Sequence, residues 1–384
     1  MGSSRLLSLP PELLIRITEE LKTDNYSAKE RQADLARMAR VHPAFHAVAQ
    51  SMLYGGEVTA RSAGRTHLLA RSLDSNRSLS DAIRTLSFRS EMDTGHAESL
   101  IKILRCCRSL RHLALSAVYL RNTPLDLYIE LQTHSHLQSF SYGYHGVESP
   151  LEDIVPLLSS FPHLKNLTLD RVAAVPRGHS PVSALVKREL HRWGPPPPYH
   201  LETLTISNWK SIDTAGWPLE LLRWLIGATS SGLRSLQLID FVGVTPLSSI
   251  FDLLVERKCH GTLERLAIRD YQDGLSPEST PLDPNSLSDT FPNLSHLSLM
   301  TNADETSFRS PCPHFILPPR LRFLQLDDDL FLTWRLLETV QAGTVPRTLR
   351  HVRLRGPFPS DVDVKALRRA CSEKMIWCEV VRAF

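Results

Sequence analysis

Apolar residues recur along most of the chain in a six-residue pattern, apolar-x-x-apolar-x-apolar. The pattern first occurs at Ile83 and returns every 27 to 37 residues until Leu349. The hexamers are IRTLSF from Ile83, LRHLAL from Leu110, LQSFSY from Leu137, LKNLTL from Leu164, LETLTI from Leu201, LRSLQL from Leu233, LERLAI from Leu263, LSHLSL from Leu294, LRFLQL from Leu321 and LRHVRL from Leu349. A period this constant is typical of a repeat architecture.

The last three residues of each hexamer alternate apolar, polar, apolar, which predicts a short strand with one buried face. Between hexamers the apolar residues have helical spacing, as in the stretch from Leu100 to Leu104. Each repeat is therefore predicted to be strand, turn, helix, turn. Because one such unit cannot bury its apolar face alone, the repeats are expected to stack, with parallel strands on one side and helices on the other.

Residues 83–384 resemble the leucine-rich-repeat family through these hexamers. The resemblance implies an α/β solenoid, a horseshoe with a parallel sheet inside and helices outside. Near the C-terminus, Ile376, Cys378 and Val380 alternate with polar or aromatic residues. This segment is interpreted as a capping strand.

Residues 6–54 do not follow the repeat and instead predict three short helices. Two prolines, Pro10 and Pro11, stand at the entry to the first helix, where a missing amide donor costs little. The second helix is predicted to end before Pro43, since the residue that precedes a proline is disfavoured in helices. Residues 55–82 are predicted to be a connecting helical segment.

The strings LSLPPELLIRITEEL and DLARMARVHPAFHAVAQ within this module resemble an F-box. This motif attaches substrate receptors to the Skp-type adaptor of cullin-based ubiquitin ligases. The resemblance implies adaptor contacts at Leu9, Pro10, Leu13, Leu14, Ile17, Leu35 and Val41. The alternative interpretation is a helical cap that seals the first repeat.

Composition and charge fit a folded protein without a strong electrostatic partner. Hydrophobic residues make up 42% of the 384 residues, charged residues make up 22%, and the formal net charge is +3. This balance predicts neither nucleic-acid nor membrane binding. No apolar run of membrane-spanning length and no signal peptide is found, so we expect the cytoplasm or nucleus.

The sequence shows no motif of an enzyme, a metal site or a cofactor site. Phosphate-binding glycine loops, nucleophile elbows and kinase signatures are absent, and no two of the six cysteines have the spacing of a zinc site. We therefore expect a non-catalytic protein without a cofactor. A hydrolase or transferase on a repeat frame is the less favoured alternative.

The third and fifth residues of each hexamer, and the residue after it, are predicted to face outward. In the later repeats these positions supply Arg265, Arg269, His296, Phe323, His351, Arg353 and Arg355. We hypothesise that this is the target-binding surface, with the arginines as readers of acidic or phosphorylated segments and Phe323 as an apolar anchor. The alternative is a solvated face that Asp327, Asp328 and Asp329 partly neutralise.

Together these patterns predict the substrate-recognition subunit of an SCF-type ubiquitin ligase. The N-terminal motif would bind the Skp-type adaptor and, through it, a cullin scaffold, while the repeats hold an unknown target protein. The alternative is a leucine-rich-repeat scaffold that is unrelated to ubiquitin, with the N-terminal helices as a solenoid cap.

Overall fold

The structure of the protein is a computed structural model, which divides the chain into two compact units, Met1–Phe140 and Ser141–Phe384. The described residues are 13, 28–41, 43–89, 94–116, 125–143, 149–150, 154–173, 196–208, 217–227, 232–239, 242–243, 247–273, 288–301, 316–327, 330–355 and 361–381.

The described residues form eleven helices and fifteen strands. The helices are α1 (Ala28–Val41), α2 (Pro43–Gly55), α3 (Ala63–Ser75), α4 (Arg77–Ala82), α5 (Thr94–Cys106), α6 (Leu125–Gln132), α7 (Val155–Leu158), α8 (Trp217–Ile226), α9 (Leu247–Glu256), α10 (Leu330–Gln341) and α11 (Asp361–Glu373). The strands are β1 (Glu57–Ala60), β2 (Thr85–Arg89), β3 (His112–Ser116), β4 (Ser139–Gly143), β5 (Ser149–Pro150), β6 (Asn166–Asp170), β7 (Val172–Ala173), β8 (Thr203–Ser207), β9 (Ser235–Ile239), β10 (Val242–Gly243), β11 (Arg265–Asp273), β12 (His296–Thr301), β13 (Phe323–Asp327), β14 (His351–Arg355) and β15 (Trp377–Val381).

In the first unit, three strands form a parallel sheet in the order β1-β2-β3. The helices α3, α5 and α6 pack in sequence beside one another. The helices α1 and α2 pack together, and α2 also contacts α4 and β1. The strand β1 was not predicted from the sequence, where residues 55–82 were expected to be helical.

In the second unit, eight strands lie in the order β6-β8-β9-β11-β12-β13-β14-β15, and each pairs in parallel with the next. The helices α8 and α9 are neighbours, as are α10 and α11. The strand β4 contains residues of both units. The prediction of an α/β solenoid of parallel strands and intervening helices is thus confirmed.

A shared backbone acceptor sets the register between neighbouring repeats. The carbonyl oxygen of Arg322, one residue before β13, accepts the N–H of Arg350 at 2.9 Å and the N–H of His351 at 3.1 Å. The same double acceptance occurs at the second hexamer residue of other repeats: Arg84, Arg111, Lys165, Glu202, Arg234, Glu264 and Ser295. A carbonyl oxygen has two lone pairs, so both bonds can form at one acceptor.

Burial alternates along β3, β6, β8 and β14 as the hexamer predicts. In the hexamer that starts at Leu321, the apolar residues Leu321, Leu324 and Leu326 are all buried. Helical residues such as Leu336 and Leu367 are fully buried as well. The core is therefore the layer between the strands and the helices. On the other side of the strands, Ser87, Ser298 and Gln325 at the fifth hexamer position are also buried, although that position was predicted to face outward.

No helix among the residues that the structure describes is both long and apolar enough to cross a membrane.

Removing core volume from a strand should lower the stability of the second unit. Val352 in β14 is 0% exposed, so Val352→Ala deletes buried methyl groups and leaves a cavity. We expect the free energy of unfolding to fall by about 2 kcal/mol, measured by urea denaturation.

The matched control is Val255→Ala on α9, where the side chain is 43% exposed. The same chemical change there should alter the free energy of unfolding by less than about 0.5 kcal/mol. Equal effects of the two substitutions would contradict the assignment of the core.

Candidate protein-binding surface

The third hexamer residues of the last repeats line up across the strands from β11 to β15. The backbone register pairs Arg265 with His296, His296 with Phe323, Phe323 with His351, and His351 with Trp377. Paired strands lie about 4.8 Å apart, so the five side chains form one continuous line. We call His296, Phe323, His351 and Trp377 the aromatic row.

Rings within the aromatic row contact one another. The His296 and Phe323 rings stack, with centroids 5.9 Å apart and planes inclined by 28°. The Phe323 and His351 rings meet edge to face, with centroids 5.0 Å apart and an angle of 76°. Trp377 is 70% exposed at the end of the row. Aromatic pairs in these geometries attract each other, so the row presents a preformed apolar surface.

A salt bridge lies beside the aromatic row, on the fifth hexamer position. The Nε atom of Arg353 donates to Oε2 of Glu379 at 2.8 Å, and the register places these two residues opposite each other. The guanidinium carbon of Arg353 also lies 6.0 Å from the centre of the Phe323 ring. His351 adds its Nε2 atom, 3.3 Å from the same carboxylate oxygen. Arg353 is thus neutralised by Glu379.

The local charges shift the titration of two side chains. The hydrogen bond from Arg353, the charge of Arg353 and the nearby His351 hold the pKa of Glu379 below its usual range. Burial lowers the pKa of His296, and the positive charges of Arg265 and Arg322 lower it further. Burial and the two arginines thus favour the neutral form of His296.

The predicted target-contacting residues are brought together in part. Arg265 is exposed on β11, and Arg355 is exposed at the end of β14. Arg269 lies in β11 opposite Ile239 of β9, and its side chain lies outside the described part of the structure. Of the other four, His296 and His351 each contact the Phe323 ring, and the guanidinium carbon of Arg353 lies 6.0 Å from its centre. That the surface binds a target remains a prediction.

Two residues of this surface were missed from the sequence, namely Trp377 and Glu379. Both lie in β15, which was interpreted only as a cap. The signal was present, because the alternation of Ile376, Cys378 and Val380 places Trp377 and Glu379 on the outward side. The neutralising partner of Arg353 is Glu379, whereas Asp328 and Asp329 lie outside the described residues.

Earlier strands of the second unit carry a different surface at the same hexamer position. There the row consists of the small polar residues Asn166, Thr203 and Ser235 in register with one another, of which Ser235 is buried. Among the described strands of this unit, aromatic side chains occupy this hexamer position only from β12 onward. This change in chemistry marks the last repeats as the candidate site.

The N-terminal helices show both covered and exposed apolar side chains. Leu35 of α1 is 4% exposed and Ala49 of α2 is 1% exposed, so this chain itself covers them. Leu13 is 43% exposed. Val41 is the last residue of α1. Of the other predicted adaptor contacts, Leu9, Pro10, Leu14 and Ile17 lie outside the described residues.

Over the described part of the chain, no group of three or more histidine, cysteine, aspartate or glutamate residues is placed to hold a metal ion.

Comparison with known proteins gives distant structural likenesses only. No protein-family model matches the sequence, and no curated protein matches it. A solved structure of a protein from Bacteroides fragilis is similar with a TM-score of 0.36 and 14% identity, over 82% of this chain and 69% of that chain. The Rad7 and Elc1 complex of yeast is similar with a TM-score of 0.32 and 12% identity, over 90% of this chain and 87% of that chain. At these scores neither likeness assigns a function.

The Arg353–Glu379 pair should make stability depend on pH. Because the folded-state pKa of Glu379 is lowered, its contribution is present above the unfolded-state pKa and is lost as the pH falls through the folded-state pKa. We expect Glu379→Gln to lower the denaturation midpoint slightly at pH 7. The difference from the wild type should shrink as the pH falls below about 4.

Denaturation midpoints over a pH series measure this effect. Glu98→Gln is the control, because Glu98 is exposed on α5 and has no ion-pair partner among the described residues. Its difference from the wild type should stay the same across the series. A Glu379→Gln difference that is equally flat would contradict the pairing.

Proposed function

We propose that the chain is a non-catalytic protein-recognition subunit that holds a target protein on the outward side of β11 to β15. The observation that supports this most is the aromatic row, which ends in Trp377, 70% exposed. Exposed aromatic residues beside arginines are the residue types that dominate binding energy at protein interfaces. The row also lies on strands, which hold its side chains in fixed positions.

In the more specific form of the proposal, the chain is the substrate receptor of an SCF-type ubiquitin ligase. The N-terminal strings that resemble an F-box support this, together with the exposed side chain of Leu13. The first helix would bind a Skp-type adaptor, and the adaptor would connect the chain to a cullin. The contribution of the chain is then proximity, because it brings the target close to a separate ubiquitin-carrying enzyme.

One contact favours a second candidate function. The helix α2 packs against α4 and β1, so it lies at the first strand of the sheet in this unit. An open strand edge needs such a cover, because its backbone groups would otherwise pair with other chains. The alternative is therefore a protein-binding scaffold in which the N-terminal helices are a cap and no adaptor is bound.

Co-expression with a Skp-type adaptor distinguishes these functions. For an F-box receptor we expect the full chain and the adaptor to co-purify in equal amounts. Leu13→Asp should weaken the complex by at least about tenfold in a calorimetric titration, because a charge in an apolar contact is costly.

Leu68→Asp is the matched control for this experiment. Leu68 is also an exposed leucine on a helix, α3, and it is 58% exposed. The substitution should leave adaptor affinity unchanged. If the wild-type chain fails to bind the adaptor at all, the ubiquitin-ligase assignment is wrong and the cap alternative stands.

A further inference from the structure

Two exposed arginines lie directly beside the aromatic row and have no neutralising partner among the residues that the structure describes. Arg322 and Arg350 precede Phe323 and His351 by one residue each, at the second position of adjacent hexamers. Neither side chain has an ion pair or a hydrogen bond with any residue that the structure describes. Both guanidinium groups are thus available to a ligand at the same edge of the surface.

The backbone places these two arginines close together. The N–H of Arg350 donates to the carbonyl oxygen of Arg322 at 2.9 Å, and the N–H of Arg322 donates to the carbonyl oxygen of Ser295 at 2.8 Å. The backbones of Arg322 and Arg350 therefore lie at the starts of neighbouring strands, which are about 4.8 Å apart. Arg322 also acts on His296 electrostatically, as does Arg265 from the strand on the other side.

Charge at the same hexamer position is neutralised in other repeats of this unit. Lys165 pairs with Glu202 at 2.7 Å, and the guanidinium of Arg234 lies 3.6 Å from the carboxylate of Glu264. In both cases the partner lies at the second position of the next repeat. Arg322 and Arg350 differ, because the second hexamer position is positively charged in both of these successive repeats. The unbalanced charge is therefore local to β13 and β14, next to the aromatic rings.

From this arrangement we propose that the surface formed by Arg265, Arg322, Arg350 and the aromatic row binds an extended acidic segment of the target protein. Carboxylates of the segment pair with the arginines, and one aromatic or aliphatic side chain lies on Phe323 and Trp377. This inference rests on the proposed role in protein recognition and names the kind of sequence that is recognised. Arg353 is paired with Glu379, so it supports the aromatic row and does not bind the carboxylates of the segment.

The spread of the arginines favours several carboxylates over one phosphate. Arg265 lies on β11 and Arg350 lies just before β14, which is three strand spacings or about 14 Å apart. One phosphate group can contact adjacent arginines but cannot reach both ends of that distance. An extended segment of about five residues covers it, with acidic side chains at intervals. The surface thus suits a run of acidic residues around one apolar residue.

Peptide binding to the full chain tests the proposal. The probe is a fluorescent peptide of alternating glutamate and serine with one central phenylalanine, and its affinity is measured by anisotropy at fixed salt. Three comparison peptides replace all glutamates by glutamine, replace the phenylalanine by alanine, or carry one phosphoserine in the glutamine background. We expect the acidic phenylalanine peptide to bind at least about tenfold more tightly than each of the others.

Arg322→Ala combined with Arg350→Ala should reduce the affinity for the acidic peptide by at least about tenfold. The matched control combines Arg84→Ala with Arg111→Ala. These are exposed arginines at the same hexamer position of adjacent repeats, and the N–H of Arg111 likewise donates to the carbonyl oxygen of Arg84. The control should bind like the wild type. Arg353→Ala should reduce the affinity less than the Arg322 and Arg350 double variant.

A second variant guards against misfolding. Arg322→Glu combined with Arg350→Glu should lose the acidic peptide and gain a peptide in which lysine replaces glutamate, which an unfolded protein would not do. Equal binding of acidic and glutamine peptides, tighter binding of the phosphoserine peptide, or no binding to the wild type would each overturn the acidic-segment proposal. Adaptor binding is measured on the same preparations, so failure of the proposed ligase role is detected separately.

Discussion

The alignment of the aromatic row depends on one repeated backbone interaction. In this interaction the carbonyl oxygen of the residue before each strand accepts two N–H groups from the next repeat. At Arg322 this fixes Arg350 and His351 together, and the equivalent bonds recur through both units. A shift of one residue in any hexamer would exchange the two faces of its strand, turning leucines outward and polar residues inward. The shared acceptor therefore aligns residues of equal hexamer position, and it makes a row of side chains out of residues far apart in sequence.

Once the register is fixed, the chemistry of the surface depends on which residues occupy the outward positions. In the second unit the third hexamer position changes from Asn166, Thr203 and Ser235 to the arginine and rings of the last repeats. The inward leucines remain much the same, since the core requires them. Core and surface are thus separately variable, so the outward residues can change without loss of the fold.

The sequence predicted the repeating strands and much of the row, because both follow from the spacing of leucines. His296, Phe323 and His351 share a hexamer position, so their alignment needed no structure. The strand β1 was missed because EVTA lacks the leucines of the hexamer. The pairing of Arg353 with Glu379 was missed for a different reason, namely that it depends on the register of a tail segment outside the ten hexamers. The absence of a partner for Arg322 and Arg350 among the described residues was not predicted either, although the sequence places Arg322 and Arg350 at the second hexamer position of successive repeats, where other repeats form ion pairs.

The two roles proposed for the N-terminal helices, a cap and an adaptor-binding module, do not exclude each other. Leu35 and Ala49 are buried within the first unit, and α2 packs against β1 and α4. A small helical module gains stability from such contacts, which a segment of its size would otherwise lack. Leu13 keeps 43% of its surface exposed in the same unit, and that surface costs free energy in water. The capping contact is therefore compatible with the proposed adaptor binding, and the two candidate functions separate on whether an adaptor contacts Leu13.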